Sequence, residues 1–461
     1  STKINIYYLF MRIHLIAIGG SIMHNLAIAL KKNGHSVTGS DDEIYSPAKE
    51  RLSDHDLLPD REGWDPGRIH EGIDLVILGM HARPDNPELL RAMELGVPIH
   101  SFPSFMYEHA RDKTRVVIAG SHGKTTTTSM ILYALQQAGK PMDYLVGARI
   151  EGFEDMVHLS DAALFIAEGD EYLSSPVDRR PKFIHYKPHV AVITGIAWDH
   201  MNVFPTFDGY KQLFADLIQS MEADGTVYYC ADDPNLEALK DLRKDLEWIP
   251  YRAIPHIQTN EGTMLRDRND QPYRTPLFGE HNMQNMKAAL EVSLKLGLTE
   301  QQFLESMGSF RGASKRLQLL AQSKDSLCYL DFAHAPSKVR ATVQAVRRQY
   351  PDRILICLLE LHTFSSLNRA FLPQYTHTID GADHAVVFYQ EHTFAMKRLP
   401  MLEDEEVQEA FAFPGLKILK EPAGIPVFLD ALPPGKKVFL FMTSGTFGGT
   451  NLSELAQKLV Q

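Results

Sequence analysis

Short, unbroken apolar runs punctuate the chain, and stretches of helical periodicity separate them: IHLIAIGG, DLVILGM, VVIAG, ALFIAEGD, VAVITGI, CYLDFAH, ILICLLE, AVVFY and VFLFMTSG. Runs of this length without polar alternation are the pattern of strands buried on both faces. Parallel sheets covered by helices are predicted, and the fold class is α/β. The βα unit from Arg12 to Asp41 is repeated in style from Val116, which places a boundary near residue 111. A second falls near Lys315, where SFRGASKRLQ precedes a new strand series. Three domains are expected, 11–110, 111–314 and 315–461, since 461 residues exceed what one core serves. The ten residues STKINIYYLF read as an upstream extension, because they lack a signal-peptide pattern and the first strand begins at Arg12.

In open parallel sheets, ligands bind beyond the carboxyl ends of the strands. Three polar constellations follow apolar runs of the middle region: Gly120-Ser-His-Gly-Lys-Thr125, Glu168-Gly-Asp170-Glu171, and Asp199-His200. The first is a phosphate loop in outline. Backbone amides around Gly120 and Gly123 and the following helix N-terminus form an anion nest, Lys124 adds a point charge, and the Thr125 hydroxyl is placed to ligate Mg²⁺. The match is imperfect, as the first glycine of the general motif would fall at Ile118. Glu168, ending an apolar strand, is costly unless paired, and a divalent cation removes the cost. His200 is a second ligand candidate for Mg²⁺ or Mn²⁺, although histidine is not magnesium's usual ligand.

Composition narrows the function. A net charge of −11 argues against a general nucleic-acid or anionic-membrane binder. No run of about eighteen apolar residues suggests a membrane span. Cys230, Cys328 and Cys357 show no Cys-x-x-Cys spacing and read as core residues of a reducing, cytoplasmic compartment. The first loop, AIGGSIM, fails the dinucleotide fingerprint at Ala17 and Ile22, which disfavours a dehydrogenase but leaves a helix N-terminus for phosphates. A nucleotide-driven switch stays open on the phosphate loop alone.

The combination GSHGKTTTT, AEGDEY, WDHMNVF, LFGEHNMQN, FRGASKR and DFAHAP, in this order from Arg12 onward, resembles the muramyl ligases, the ATP-dependent amide-forming enzymes of peptidoglycan synthesis. The resemblance implies a Rossmann-like N-terminal domain for a UDP-sugar, a central P-loop ATPase-type domain, and a Rossmann-like C-terminal domain meeting ATP and the amine substrate. It implies ATP and Mg²⁺ (with Mn²⁺ as a substitute), UDP-N-acetylmuramate and a peptide or amino-acid amine as partners, and a monomer or homodimer. Catalysis would rest on Lys124, Glu168, His200 and Arg316, with Thr125, Glu168 and His200 at the metal. ATP would be held by Gly120, Ser121, His122, Gly123, Lys124, Thr125 and Thr126, by His281, Asn282 and Asn285 near adenine, and by Arg316, Asp331 and His334. The UDP-sugar would meet Gly19, Gly20, Ser21, Ile22, Met23, Ser40, Asp41 and His81. EGDEYLSSPVDRRPKFIHYKP and FMTSGTFGG point to members whose amine is a peptide.

Departures are informative. Ala17 stands where the family has its first glycine, Gly195 where relatives often have Asn, and Ala335 where many have a second His. LELHTFSSLN replaces an arginine-rich stretch of the alanine ligases, so His362, Thr363, Ser365 and Ser444 are the candidates to contact the peptide. Ala215 occupies the place of a carbamylated lysine, and none is predicted. The base for the amine is open between His200 and a carboxylate such as Glu171.

Overall fold

The structure, a computed structural model, describes residues 10–198, 203–260 and 262–461. Its first sheet holds β1 (Arg12–Ile16), β2 (Ser36–Ser40), β3 (Leu75–Leu78) and β4 (Ile99–Ser101), all parallel in the order β2-β1-β3-β4. The central sheet holds β5 (Thr114–Ala119), β6 (Asp143–Leu145), β7 (Val157–His158), β8 (Leu164–Glu168), β9 (Val190–Ile193), β10 (Thr226–Cys230) and β11 (Glu247–Tyr251). Its order is β11-β10-β9-β5-β8-β6-β7, with β7 antiparallel at the edge. A small antiparallel sheet follows, of β12 (His256–Thr259), β13 (Gly262–Arg266) and β14 (Pro272–Thr275).

The third large sheet contains β15 (Gln318–Gln322), β16 (Ser326–Asp331), β17 (Ile354–Glu360), β18 (His384–Phe388), β19 (Lys417–Leu419) and β20 (Lys437–Met442). Its order is β15-β16-β20-β17-β18-β19, with only β15 antiparallel. The mixed α/β class with parallel sheets agrees with the sequence reading. Successive residues of β16, β17 and β20 alternate between two separate clusters of buried side chains, Leu355, Cys357 and Leu359 on one face and Ile356 and Leu358 on the other, so both faces of this sheet are covered.

Buried side chains run without a break from the first sheet into the central one, from Ile13 and Leu26 to Phe310. Polar ties support that junction: Asp155 accepts from Lys32 at 2.6 Å and Arg51 at 3.2 Å, and the Asn25 amide oxygen accepts from Arg51 at 3.0 Å. At the joint before the third sheet, Lys315 and Leu317 both take left-handed φ, 56° and 49°, an uncommon conformation for residues other than glycine. All three cysteines are buried and unpaired. Among the described residues, no helix is long and apolar enough to cross a membrane.

Candidate active site

Strand β5 ends at Ala119, and the chain turns through Gly120 (φ 130°) and Gly123 (φ 74°) before the helix Lys124–Gln137 begins. Both turns need glycine. A Cβ on Gly120 would stand 2.0 Å from the Thr194 hydroxyl, and one on Gly123 would stand 2.2 Å from Oδ1 of Asn285. The loop is thus wedged between β9's end and the helix Glu280–Lys295, which fixes its amides toward one cavity. Gly123→Ala is expected to raise the KM for ATP at least about tenfold, because left-handed φ costs an alanine about 1 kcal/mol and the clash displaces the amides besides. Nucleotide titration of the purified variant checks this.

Lys124 reaches back to the Gly120 carbonyl at 2.7 Å and pairs with Glu171 at 2.9 Å. Burial would lower its pKa, but the Glu171 carboxylate and its neighbours outweigh that and hold it above the usual lysine value. Glu171 is buried and also accepts from the Tyr210 hydroxyl at 3.2 Å. The Thr125 hydroxyl donates to Glu168 Oε1 at 2.8 Å, while Gly147 N–H donates to Oε2 at 2.6 Å. Arg316 donates to the same Thr125 oxygen at 3.1 Å, its guanidinium lying 4.5 Å from the Phe332 ring centroid. Burial pushes the Arg316 pKa down, opposed by Glu168 and Asp331.

These groups line a cavity of about 560 Å³ to which all three large sheets contribute. From the first come Gly20, Ser21, Ile22, Met23 and His81; from the central region Ser121 to Thr126, Glu168, His281, Asn282 and Asn285; from beyond the joint Arg316, Asp331 and His334. Ser121 is also a strut, accepting from Ala197 N at 2.6 Å. Burial drops the His122 pKa to about 4, so its imidazole is neutral at physiological pH. His281 is likewise pushed down by burial. Asn282 donates to the Phe278 carbonyl at 3.0 Å, and the Asn285 amide packs on the phosphate loop itself. Asp331 accepts from the Leu317 and Ala333 amides, both at 2.7 Å, and so shapes the joint next to Arg316.

Other candidates lie apart from the cavity lining. Gly19 N–H donates to Asp41 at 2.7 Å, and burial raises the Asp41 carboxyl to about 6. Ser40 is fully buried and donates to Glu88 at 2.7 Å, within a network where His14 meets Glu88 at 3.0 Å. Both residues therefore spend their polar atoms holding the first loop. Ala17 takes a left-handed φ of 67°, a conformation that glycine adopts more readily than alanine. His362, Thr363, Ser365 and Ser444 gather instead at the carboxyl ends of β17 and β20. His200 and Asp199 lie outside the described residues. Among the described residues, no three His, Cys, Asp or Glu side chains cluster as a metal site. A nucleotide-bound Mg²⁺ needs only one or two protein oxygens, and the convergent Thr125 hydroxyl and Glu168 carboxylate suit a hard cation.

Sequence reasoning missed Lys182, which lines the cavity and meets Asp170 at 2.6 Å. Burial alone would raise the Asp170 carboxyl, but the ammonium holds it below the ordinary range. It also missed Lys338, on the helix that follows DFAHAP and lining the same cavity. The opposite charges of Asp170 and Lys182, twelve residues apart around a loop, were the available signal.

The model of the Mur ligase family catalytic domain matches residues 12–114, and that of the Mur ligase middle domain matches 118–293. The chain is 30% identical over 348 residues to the UDP-N-acetylmuramate–L-alanyl-gamma-D-glutamyl-meso-2,6-diaminoheptandioate ligase of Escherichia coli K12, covering 73% of this chain and 76% of that one. The chain belongs to the Mur ligase family. It is also 31% identical over 396 residues to the UDP-N-acetylmuramate–L-alanine ligase of Caldanaerobacter subterraneus, covering 82% of each. A murein peptide ligase from Psychrobacter arcticus shares the fold, with a TM-score of 0.66 at 22% identity over 98% of this chain and 99% of that one. Members of the Mur ligase family are ATP-dependent amide-forming ligases, and this chain is one of them.

Proposed function

We propose that this Mur ligase joins the carboxylate of UDP-N-acetylmuramate to the amine of the murein tripeptide L-Ala-γ-D-Glu-meso-diaminopimelate, in the cytoplasmic recycling of peptidoglycan. The observation that carries the reading is the single cavity to which all three large sheets contribute, with Lys124, Glu168 and Arg316 converging around Thr125. A carboxylate resists attack by an amine because of its charge and its poor leaving group. Transfer of the γ-phosphoryl group of ATP to the carboxylate oxygen gives an acyl phosphate, which the amine then attacks to release phosphate.

In this reading the loop amides and Lys124 hold the transferring phosphoryl group, and Arg316 neutralises charge that develops on it. Thr125 and Glu168 would hold Mg²⁺, which when bound offsets the negative charge of the phosphates; His200 is proposed alongside them. His281, Asn282 and Asn285 face the nucleotide from the central region, and Asp331 and His334 from the third sheet. Gly20 to Met23 and His81 would meet the UDP-sugar, with Gly19, Ser40 and Asp41 fixing the turn that presents them. Water is kept from the acyl phosphate by the three-sided enclosure.

L-Alanine is the second reading, supported by a relative of that kind at 31% identity. Purified protein is given Mg-ATP and UDP-N-acetylmuramate, then either L-alanine or the tripeptide, and product mass and released phosphate are measured. Product with the tripeptide and none with alanine is expected. Product with alanine alone overturns the preferred substrate, and turnover independent of the UDP-sugar overturns the whole reading.

A further inference from the structure

The carbonyls of Gly20 and Ser21, at the start of the helix Ser21–Lys32, are each tied down by a side chain one turn further on. His24 Nδ1 donates to the Gly20 carbonyl at 2.9 Å, and Asn25 Nδ2 donates to that of Ser21 at 2.8 Å. Asn25 is buried, and the whole hydrogen-bonding capacity of its amide is in use. The second N–H goes to His24 Nε2 at 3.1 Å, while the oxygen accepts from Arg51 at 3.0 Å and from the Met156 backbone N–H at 3.3 Å. Turning the amide over would set donor against donor at Arg51 and Met156, so its orientation is fixed.

Met156 belongs to the connection between β6 and β7 of the central sheet. Its carbonyl accepts from Val146 N–H at 2.9 Å, and the next amide along, that of Gly147, donates to Glu168 Oε2 at 2.6 Å. Glycine is what lets the backbone come so near: a Cβ there would stand 2.9 Å from both carboxylate oxygens. Glu168 Oε1 accepts from the Thr125 hydroxyl, whose oxygen accepts from Arg316. A hydrogen-bonded series thus runs from the Ser21 carbonyl through Asn25, Met156 and the Val146–Gly147 peptide to Glu168. Its two ends line the cavity, Ser21 on the side of the first sheet and Glu168 on the side of the phosphate loop; Asn25 and Met156 lie behind the wall.

We infer that Asn25 is a positioning residue, through which an anion bound at the start of the helix Ser21–Lys32 sets the Glu168 carboxylate for Mg-ATP. This rests on the UDP-sugar reading of that loop and goes beyond it. Phosphates seated on the first amides of the helix hold its opening turn still. The ordering of Asn25, Met156 and Gly147 then falls on the first ligand to bind and not on the second. Each ligand therefore tightens the other, by the same factor.

Calorimetric titration gives the Kd of the Mg²⁺ complex of β,γ-imido-ATP, an analogue that does not turn over, with and without saturating UDP-N-acetylmuramate. In the wild-type protein the sugar nucleotide is expected to lower that Kd about fivefold or more, the lower end of coupling between sites. Asn25→Asp keeps acceptors for Arg51 and Met156 but has no N–H for Ser21, and its ratio is expected to fall below about twofold. Asp155→Asn loosens the Lys32 and Arg51 ties of the same junction without entering the series, and is expected to keep the wild-type ratio. A merely structural Asn25 would lower the melting temperature or weaken both ligands and leave the ratio intact. That result overturns the inference, as does a wild-type ratio near one or an equal loss in Asp155→Asn, and in each case the UDP-sugar reading stands. If the wild-type protein does not bind UDP-N-acetylmuramate, both fall together. Should Asn25→Asp fail to fold, Asn25→Ser answers the same question.

Discussion

Lys124→Ala is expected to cut amide formation by at least about a thousandfold, the scale of losing a charged donor aimed at the transition state. The physical ground is its place at the loop: Nζ lies 2.7 Å from the Gly120 carbonyl and 2.9 Å from Glu171, at the mouth of the anion nest. Its raised pKa means the ammonium's contribution to stability is complete below the unfolded lysine value and fades only as pH climbs past the folded one. Charge loss by titration is therefore no concern at neutral pH. The single variant also strips a buried carboxylate of its cation, which costs stability of about 1 to 3 kcal/mol. Lys124→Ala combined with Glu171→Gln separates the two effects: the melting temperature recovers and turnover does not. Phosphate release with all three substrates, read beside thermal melts, measures both. Turnover near wild type in Lys124→Ala would remove the loop from the chemistry.

Arg115→Met is expected to destabilise the chain by about 1 to 3 kcal/mol, the cost of leaving buried backbone carbonyls without their donor, since its partner Glu222 is itself 40% exposed. Arg115, the second residue of β5, has only 1% of its surface exposed. It donates to the carbonyls of Tyr186 (2.8 Å), Lys187 (3.1 Å), Ala110 (3.2 Å) and Lys113 (3.2 Å), and pairs with Glu222 at 2.6 Å. It stands 5.2 Å from the Tyr107 ring centroid. One guanidinium thus closes the connection between the first and central sheets and the end of the 3₁₀ turn Lys182–Tyr186. Lysine, with three donors and no planar fork, cannot serve those directions, so Arg115→Lys is expected to recover little. Urea unfolding of both variants is the measurement; midpoints within about 0.5 kcal/mol of wild type would show the network to be idle.

Much of the scaffold was legible because it is written locally. Each of the nine apolar runs is a strand of a parallel sheet, and the turn at Gly120 to Lys124 begins a helix as its motif implies. What escaped was either polar or brief. Strand β10, TVYYC, is buried throughout but carries Thr and two Tyr, and the edge strand β11, EWIPY, contains a proline. The small sheet β12–β14 is short and partly exposed, so no continuous apolar run announces it.

The site was legible in its parts and not in its pairings. Thr125 and Arg316 are 191 residues apart, and nothing along the chain states that they meet at 3.1 Å. The same holds for Asn285, whose amide abuts Gly123 from the helix Glu280–Lys295. Ser40 and Asp41 sit at a strand end, where the general rule places ligand groups, but the first network of His14 and Glu88 claims one and the Gly19 amide the other. Strand-end rules give location; they do not say which polar atoms the fold keeps for itself.

The bond between Lys124 and Glu171 has a consequence for what the loop accepts. An arriving anion must win the ammonium from a resident carboxylate already seated within 2.9 Å. Free orthophosphate or sulfate brings little beyond what that carboxylate supplies, whereas a triphosphate also collects the loop amides and the Arg316 guanidinium. The abundant small anions of a cell are thereby poor competitors, and the loop is reserved for the long polyanion that can displace its own internal counter-ion.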